Sequence, residues 1–271
     1  MQHILVTGGT GTLGHHIIPR LRDAGYKVRV LSRNSREAGG GIEYVAGDLA
    51  TGEGVKAAVE DAEIIIHCAG SAKGDEEKAR HLVQAASEVR VGARHLVYIS
   101  VVGADRVPVV GSTDRTVFGY FAAKRAAEHL VIDSGLPWTI LRATQFHDLM
   151  FTVAEAMEKM PVMPVFAGFR YQPVDAGDVA ERLVQLALGE PAGLVSDIGG
   201  PRVYTQADLM RSYLHARQKH RLILPVWLPG QAARAHRAGA NLAPDHADGR
   251  RTWEEFLADR LGLPRVVPTS L

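Results

Sequence analysis

Cysteine occurs once in the 271 residues, at Cys68. A single thiol excludes an intramolecular disulfide and suits a reducing compartment, and its place at the end of an apolar run suits a buried, inert group. Excess charge is missing too. The 31 lysines and arginines stand against 30 acids, a formal net charge of +1, so the chain as a whole has no electrostatic case for nucleic acid or anionic membrane. No apolar run is long enough to span a bilayer, and the first strand pattern begins almost at Met1, which leaves no room for a signal peptide. The expectation is a soluble cytoplasmic protein, monomer or homodimer, with no nucleic-acid or membrane partner. The 12 histidines show no metal-ligand spacing with cysteine, and the adjacent His15 and His16 point apart on a helix, so no metal is expected. Internal repeats, low-complexity tracts and obvious linkers are also absent. With 46% hydrophobic and 23% charged residues, residues 1–271 read as one domain with a substantial core, of which 143–271 supply most of a small substrate-binding lobe.

What is present is organised around Thr7-Gly8-Gly9-Thr10-Gly11-Thr12-Leu13-Gly14. The apolar run His3–Val6 precedes it, and Leu13, Ile17, Ile18 and Leu21 follow at helical spacing. A strand, a glycine turn and a helix form a nucleotide site: Gly8 permits the tight bend, Gly11 lets a pyrophosphate approach the backbone, and Gly14 lets the helix pack on the strand. The helix start offers unpaired N–H groups and a positive dipole end to the phosphates. Thr10, Thr12 and Leu13 complete the turn.

Apolar runs then alternate with helical patterns. Strands are expected at 26–31, 42–46, 62–67, 94–100 and 138–141, and helices at about 53–60, 74–91 and 118–134. This predicts an α/β fold, a doubly wound parallel sheet covered on both faces. From Ala143 onward Pro161, Pro164 and Pro173 interrupt the pattern, and later helices are expected at 174–188 and at about 205–217, 228–240 and 251–261. Arg211–Arg221 reads as a solvated helix face, and Trp253, Phe256, Leu257 and Leu261 as the packing face of a C-terminal helix.

Cofactor type is decided at the end of the second strand, in Leu31-Ser32-Arg33-Asn34-Ser35-Arg36. The carboxylate that an NAD site places there is missing, and a guanidinium can pair with a 2′-phosphate. NADP(H) is therefore expected, with Arg33 first, then Ser32 and Arg36. Asp48 and Leu49 follow the third strand; Asp48 either accepts from the adenine amino group or caps a helix. Ala69-Gly70 after the fourth strand lets backbone approach the cofactor. Tyr120 and Lys124 lie four apart, on one helix face. A cation there is expected to lower the tyrosine pKa, and the phenol can protonate a carbonyl oxygen as hydride reaches its carbon. Gln145, Phe146 and His147, after the sixth strand, are candidate substrate-binding residues, with His147 an alternative proton donor.

Together these segments, with Gly47-Asp48-Leu49, His67-Cys68-Ala69-Gly70, Val97-Tyr98-Ile99-Ser100 and Gly135-Leu136-Pro137-Trp138-Thr139-Ile140-Leu141-Arg142, resemble the short-chain dehydrogenase/reductase superfamily. The nearest branch is the atypical one of NmrA-like and isoflavone-reductase-like NAD(P)H-binding proteins. The later Gln172–Ala180 stretch is similar to the family's approach to a helix of the substrate lobe. The resemblance implies a Rossmann-like fold, Tyr120 as proton donor or acceptor, and Lys124 as a ligand of the nicotinamide ribose. Active members also set a serine or threonine beside the tyrosine. Ser100 is the catalytic and cofactor-binding candidate for that place, followed by the hydroxyl-free Val101, Val102 and Gly103, with Ser112, Thr113 or Thr116 as substitutes from the loop. The expected function is an NADP(H)-dependent oxidoreductase acting on a carbonyl, quinone or similar small molecule. The alternatives are a non-catalytic NADP(H) sensor and an epimerase or dehydratase.

Overall fold

The computed structural model describes residues 3–34, 39–70, 74–89 and 93–264. The first half alternates β1 (His3–Thr7), α1 (Thr12–Asp23), β2 (Lys27–Ser32), β3 (Ile42–Ala46), α2 (Val55–Val59), β4 (Ile64–His67), α3 (Asp75–Glu88), β5 (His95–Val101), α4 (Ser112–Ile132) and β6 (Trp138–Ala143). The second half holds α5 (His147–Glu158), β7 (Val162–Phe166), β8 (Arg170–Tyr171), α6 (Ala176–Leu188), β9 (Gly193–Leu194), β10 (Tyr204–Thr205), α7 (Gln206–Ala216), β11 (Leu222–Val226), α8 (Gln231–Arg237) and α9 (Trp253–Leu261).

Seven strands form one sheet in the order β3-β2-β1-β4-β5-β6-β9, parallel at every pairing. The order reverses between β1 and β4, the switch point at which ligands bind in open α/β sheets. Successive residues of β1 alternate between the two cores, as strand geometry requires. Ile4 and Val6 join Ile17, Leu21, Val179 and Leu183 on one face, and Leu5 joins Val55, Leu82, Ala127 and Val131 on the other. Both faces are therefore covered by helices, which accounts for the uninterrupted apolar character of β4.

The helix expected to belong to the substrate lobe, α6, lies elsewhere. Val179, Ala180, Leu183 and Ala187 pack on the sheet and on Ile17 and Leu21 of α1. Asp175 caps it by accepting from Gly177 N at 2.7 Å. The separate lobe is built instead from α5, α7, α9 and the parallel β7–β11 pair around Phe151, Met163, Tyr213, Trp253 and Phe256. Gln172 ties this half of the chain together. Its amide donates to Gly200 O at 2.8 Å and Ala243 O at 3.1 Å and accepts from Ala243 N at 2.9 Å. A further aromatic cluster, Phe118, Phe121 and Phe169 with Ala232 and Ala233, joins α4 to α8.

Candidate active site

The glycine turn has the geometry its spacing predicts. Gly8 takes φ +69°, and a Cβ there would stand 2.7 Å from Ala69 N at the end of β4. At Gly14 a Cβ would stand 2.3 Å from Gly9 O, so α1 can meet the turn only without a side chain. Gly11 N donates to Gly8 O at 2.9 Å and closes the turn. No side chain caps α1. Its first-turn N–H groups open onto the crevice between β1 and β4, beside the exposed Thr10 and Thr12. Leu13 is buried in the sheet core and anchors the helix start. This turn, which leaves no room for a Cβ at Gly8 or Gly14 and leads into uncapped helix N–H groups, fits a dinucleotide pyrophosphate.

At the adenosine side, Ser32 is buried at the end of β2 and its carbonyl accepts from Gly47 N at 3.0 Å. Arg33 is exposed next to it, and Arg36 lies outside the described residues. Asp48 Oδ1 accepts from Ala50 N at 2.9 Å within the turn after β3, and it caps no helix, since α2 begins at Val55 with Gly54 before it. Leu49 is buried, and its carbonyl accepts from His81 Nδ1 at 2.7 Å.

Lys124 and Tyr120 meet at the carboxyl ends of β4 and β5. The Lys124 ammonium donates to Ile99 O at 3.1 Å. It lies 4.9 Å from the Tyr98 ring centre and 5.8 Å from that of Tyr120. A Cβ on Gly70 would stand 3.4 Å from the Lys124 nitrogen, so the end of β4 closes directly over it. Half-buried Tyr120 presents its ring edge-on to Phe121. Tyr120, Val109, Phe166, Tyr171 and Leu228 are partly buried side chains that pack against the α4–α8 cluster.

The expected depression of the tyrosine pKa is not found. Burial pushes Tyr120 up, Lys124 pulls it down, and Asp75 pushes it up again. Asp75, the first residue of α3, stands 3.2 Å from the Lys124 nitrogen, with the two side chains 1% and 3% exposed respectively. Burial disfavours the Lys124 ammonium, yet Tyr98, Tyr120 and Asp75 outweigh it and hold the group above the ordinary lysine value. Burial also pushes Tyr98 up to about 12. His67 is taken down to about 3, by burial first and Lys124 second; this neutral ring lies 2.7 Å from Thr7 Oγ1 and stacks on Tyr98. Burial takes the Cys68 thiol up to about 12, in keeping with an inert sulfur.

Ser100 is buried beside Glu128, whose carboxylate pairs with Arg142. Val102 after it is buried and bonded through its N–H to Ala143 O at 2.9 Å. The possible substitutes lie on the exposed start of α4, where Thr116 donates back to Ser112 O at 3.0 Å. Gln145 is buried at the end of β6, its carbonyl accepting from Val174 N at 2.9 Å. Half-buried Phe146 packs against the sheet core. His147 turns the other way. It is 0% exposed, with ring centres 5.1 Å from Phe256 and 6.0 Å from Trp253. Burial there lowers it to about 4, so His147 is a neutral core side chain of the lobe, which does not suit a proton donor or substrate ligand. Asp75, Tyr98 and His67 escape sequence reasoning: an acid opening a helix reads as a cap, and a tyrosine or histidine in an apolar strand as core.

A glycine cradle at the switch point of a parallel sheet, with Tyr120 and Lys124 at its far end, defines an atypical short-chain dehydrogenase/reductase-like protein. The chain belongs to the NAD(P)H-binding family, which it matches over residues 8–189. It is 29% identical over 243 residues to the ceramide reductase of Caulobacter vibrioides, covering 81% of this chain and 72% of that protein. The (4-alkanoyl-5-oxo-2,5-dihydrofuran-3-yl)methyl phosphate reductase of Streptomyces griseus is 28% identical over 211 residues, covering 76% and 70%. Among solved structures, the NADPH complex of the quinone oxidoreductase QOR2 from Escherichia coli shares the fold, with a TM-score of 0.77 at 18% identity over 95% of this chain and 99% of that one. Among the described residues no helix is long and apolar enough to cross a membrane, and no group of three or more His, Cys, Asp or Glu is placed to hold a metal ion.

Proposed function

We propose that the protein is an NADP(H)-dependent oxidoreductase that transfers hydride between the nicotinamide and a small carbonyl, quinone or similarly polarised acceptor. The observation that carries this reading is the placement of Lys124 beside Gly70, with the Tyr120 ring 5.8 Å from its ammonium, past the end of the strand next to the Gly8–Gly14 turn. Bound NADPH supplies hydride chemistry. The residues of the chain bind, orient and move a proton. The first turn of α1 takes the pyrophosphate, and Arg33, exposed where a carboxylate would select NAD, takes the 2′-phosphate. Lys124 holds the nicotinamide ribose, and Gln145 and Phe146 lie just after β6. Tyr120 Oη gives its proton to the substrate oxygen. Two of the relatives are named as reductases, which agrees with this direction of reaction.

One observation favours a second reading, a protein that binds NADP(H) without turnover: the hydroxyl of Ser100 is enclosed beside Glu128, and Val102 after it carries none. The test follows NADPH absorbance with purified protein and a panel of quinones, ketones and aldehydes. The proposal expects oxidation of NADPH with at least one acceptor class. Tight binding of NADPH with no turnover across the panel supports the sensor instead.

A further inference from the structure

The Lys124 ammonium is enclosed by groups from three elements. Tyr120 faces it from its own helix, Tyr98 and Ile99 O from β5, and Asp75 from the start of α3. Asp75 is the anion of the group. Its Oδ2 stands 3.2 Å from Lys124 and its Oδ1 3.4 Å from Lys78. Among the described residues, the His67 ring, held neutral beside Thr7, and the Cys68 thiol also face the Lys124 charge. Gly70 closes over the ion pair: a Cβ there would lie 3.4 Å from both the Asp75 carboxylate and the Lys124 nitrogen. The pair is therefore part of the cofactor crevice.

A buried ammonium beside two phenols, with no anion, favours their ionisation, and a buried carboxylate within a salt-bridge distance of that ammonium offsets part of the effect, on top of the burial that already disfavours the phenolate. We infer that Asp75 is a positioning residue of the site: it holds Lys124 in place and neutralises it, so that Tyr120 enters the reaction as a neutral acid and the site is set for reduction. This rests on the reading of Tyr120 as the proton donor. The step balances. The carbonyl carbon gains hydride from the reduced nicotinamide. The carbonyl π bond becomes a lone pair on oxygen, which takes the Tyr120 proton as the phenolic O–H bond breaks, and the phenolate regains a proton from water. A tyrosine that is already a phenolate suits the reverse, oxidative step. The higher Tyr120 pKa agrees with the acid role.

The test is a near-ultraviolet tyrosinate titration of the full chain, assigned to Tyr120 by difference from Tyr120→Phe. Wild type is expected to show a Tyr120 midpoint at or above the ordinary tyrosine value of about 10, and a midpoint well below it overturns the inference without any Asp75 variant. Asp75→Asn keeps the shape and removes the charge that faces Lys124. It is expected to lower the midpoint by about one pH unit or more, and Asp75→Glu is expected to restore it. The alkaline limb of kcat for NADPH oxidation is expected to shift downward with it. An unmoved or higher midpoint in a folded Asp75→Asn protein contradicts the inference. Because the titration needs no substrate, a fall in midpoint with no acceptor reduced sinks the oxidoreductase reading while the charge relation stands. Tyr120-dependent turnover with an unmoved midpoint does the reverse.

Discussion

Glu128, one turn beyond Lys124 on α4, accepts hydrogen bonds from Arg142 Nε at 2.8 Å and Nη2 at 2.7 Å, while Asp105 engages Nη1 at 2.8 Å. The Glu128–Arg142 pair is buried and pins to β6 the helix that presents Tyr120 and Lys124. Breaking such a pair from one side leaves an uncompensated charge. Arg142→Met is expected to destabilise the protein by about 3–5 kcal/mol, and adding Glu128→Gln to recover much of that; denaturant unfolding of the two variants checks it. Burial raises the Glu128 carboxyl, but Arg142, Ser100 and Arg125 outweigh it and hold the pKa below the ordinary value. The unfolded state then takes up this proton first, so the pair's stabilisation is complete above about pH 4.3 and is lost as pH falls through the lower folded value.

Two buried histidines add a second acid sensitivity at higher pH. His147 sits against Phe256 and Trp253, and His236 among Phe118, Phe121, Phe169 and Tyr171. Burial lowers each to about 4. Between pH 6.5 and 4 the unfolded chain binds protons that the folded chain refuses, so stability falls with pH across that window. From pH 7.5 to 5 the loss is expected to be about 2 kcal/mol per histidine. Unfolding free energies of His147→Leu and His236→Leu, measured at both pH values, are each expected to show a loss smaller by that amount. An unchanged loss contradicts the assignment.

The cofactor cradle predicts a steric result. Gly14→Ala places a methyl group 2.3 Å from Gly9 O. Backbone must move, at a cost of about 1–3 kcal/mol or more, and the phosphate-binding N–H groups move with it. Loss of NADPH fluorescence enhancement together with a lower Tm is the expected outcome. Full-strength binding in the variant contradicts the cradle.

Arg33 predicts selectivity. If its guanidinium takes the 2′-phosphate, Arg33→Ser loses a charged hydrogen bond worth about 1.5–3 kcal/mol, roughly a 10- to 100-fold weaker Kd for NADPH. NADH, which lacks that phosphate, is expected to bind the variant and wild type alike. Equal losses for both cofactors remove Arg33 from this role.

The parts of the site legible in the sequence are those whose chemistry depends on local spacing. Gly8 and Gly14 are glycines because the turn between β1 and α1 leaves no room for a Cβ at either, and Tyr120 and Lys124 are four apart because helix geometry brings them to one face. The strands β1, β4, β5 and β6 are legible because burial on both faces keeps their runs apolar. What depends on distant partners was hidden. Asp75 meets Lys124 across 49 positions, and nothing local separates it from a helix-start acid. His147 follows a strand end as a ligand would, but its direction is set by Trp253 and Phe256, a hundred residues on. The prolines after Ala143 masked α5 and β7. Pro164 lies within β7 opposite Leu224, in a two-stranded pair where a missing N–H is tolerated. The helix α6 was legible as a helix, but its packing on α1 was not.

The most direct test of the account is steady-state NADPH oxidation by wild type and Tyr120→Phe with the best acceptor, alongside NADPH affinity for each. The account predicts matched affinity and a kcat lower by about 10²- to 10⁴-fold in the variant, the range for loss of a positioned general acid. Unchanged kcat at matched affinity contradicts it and takes the proton transfer away from Tyr120.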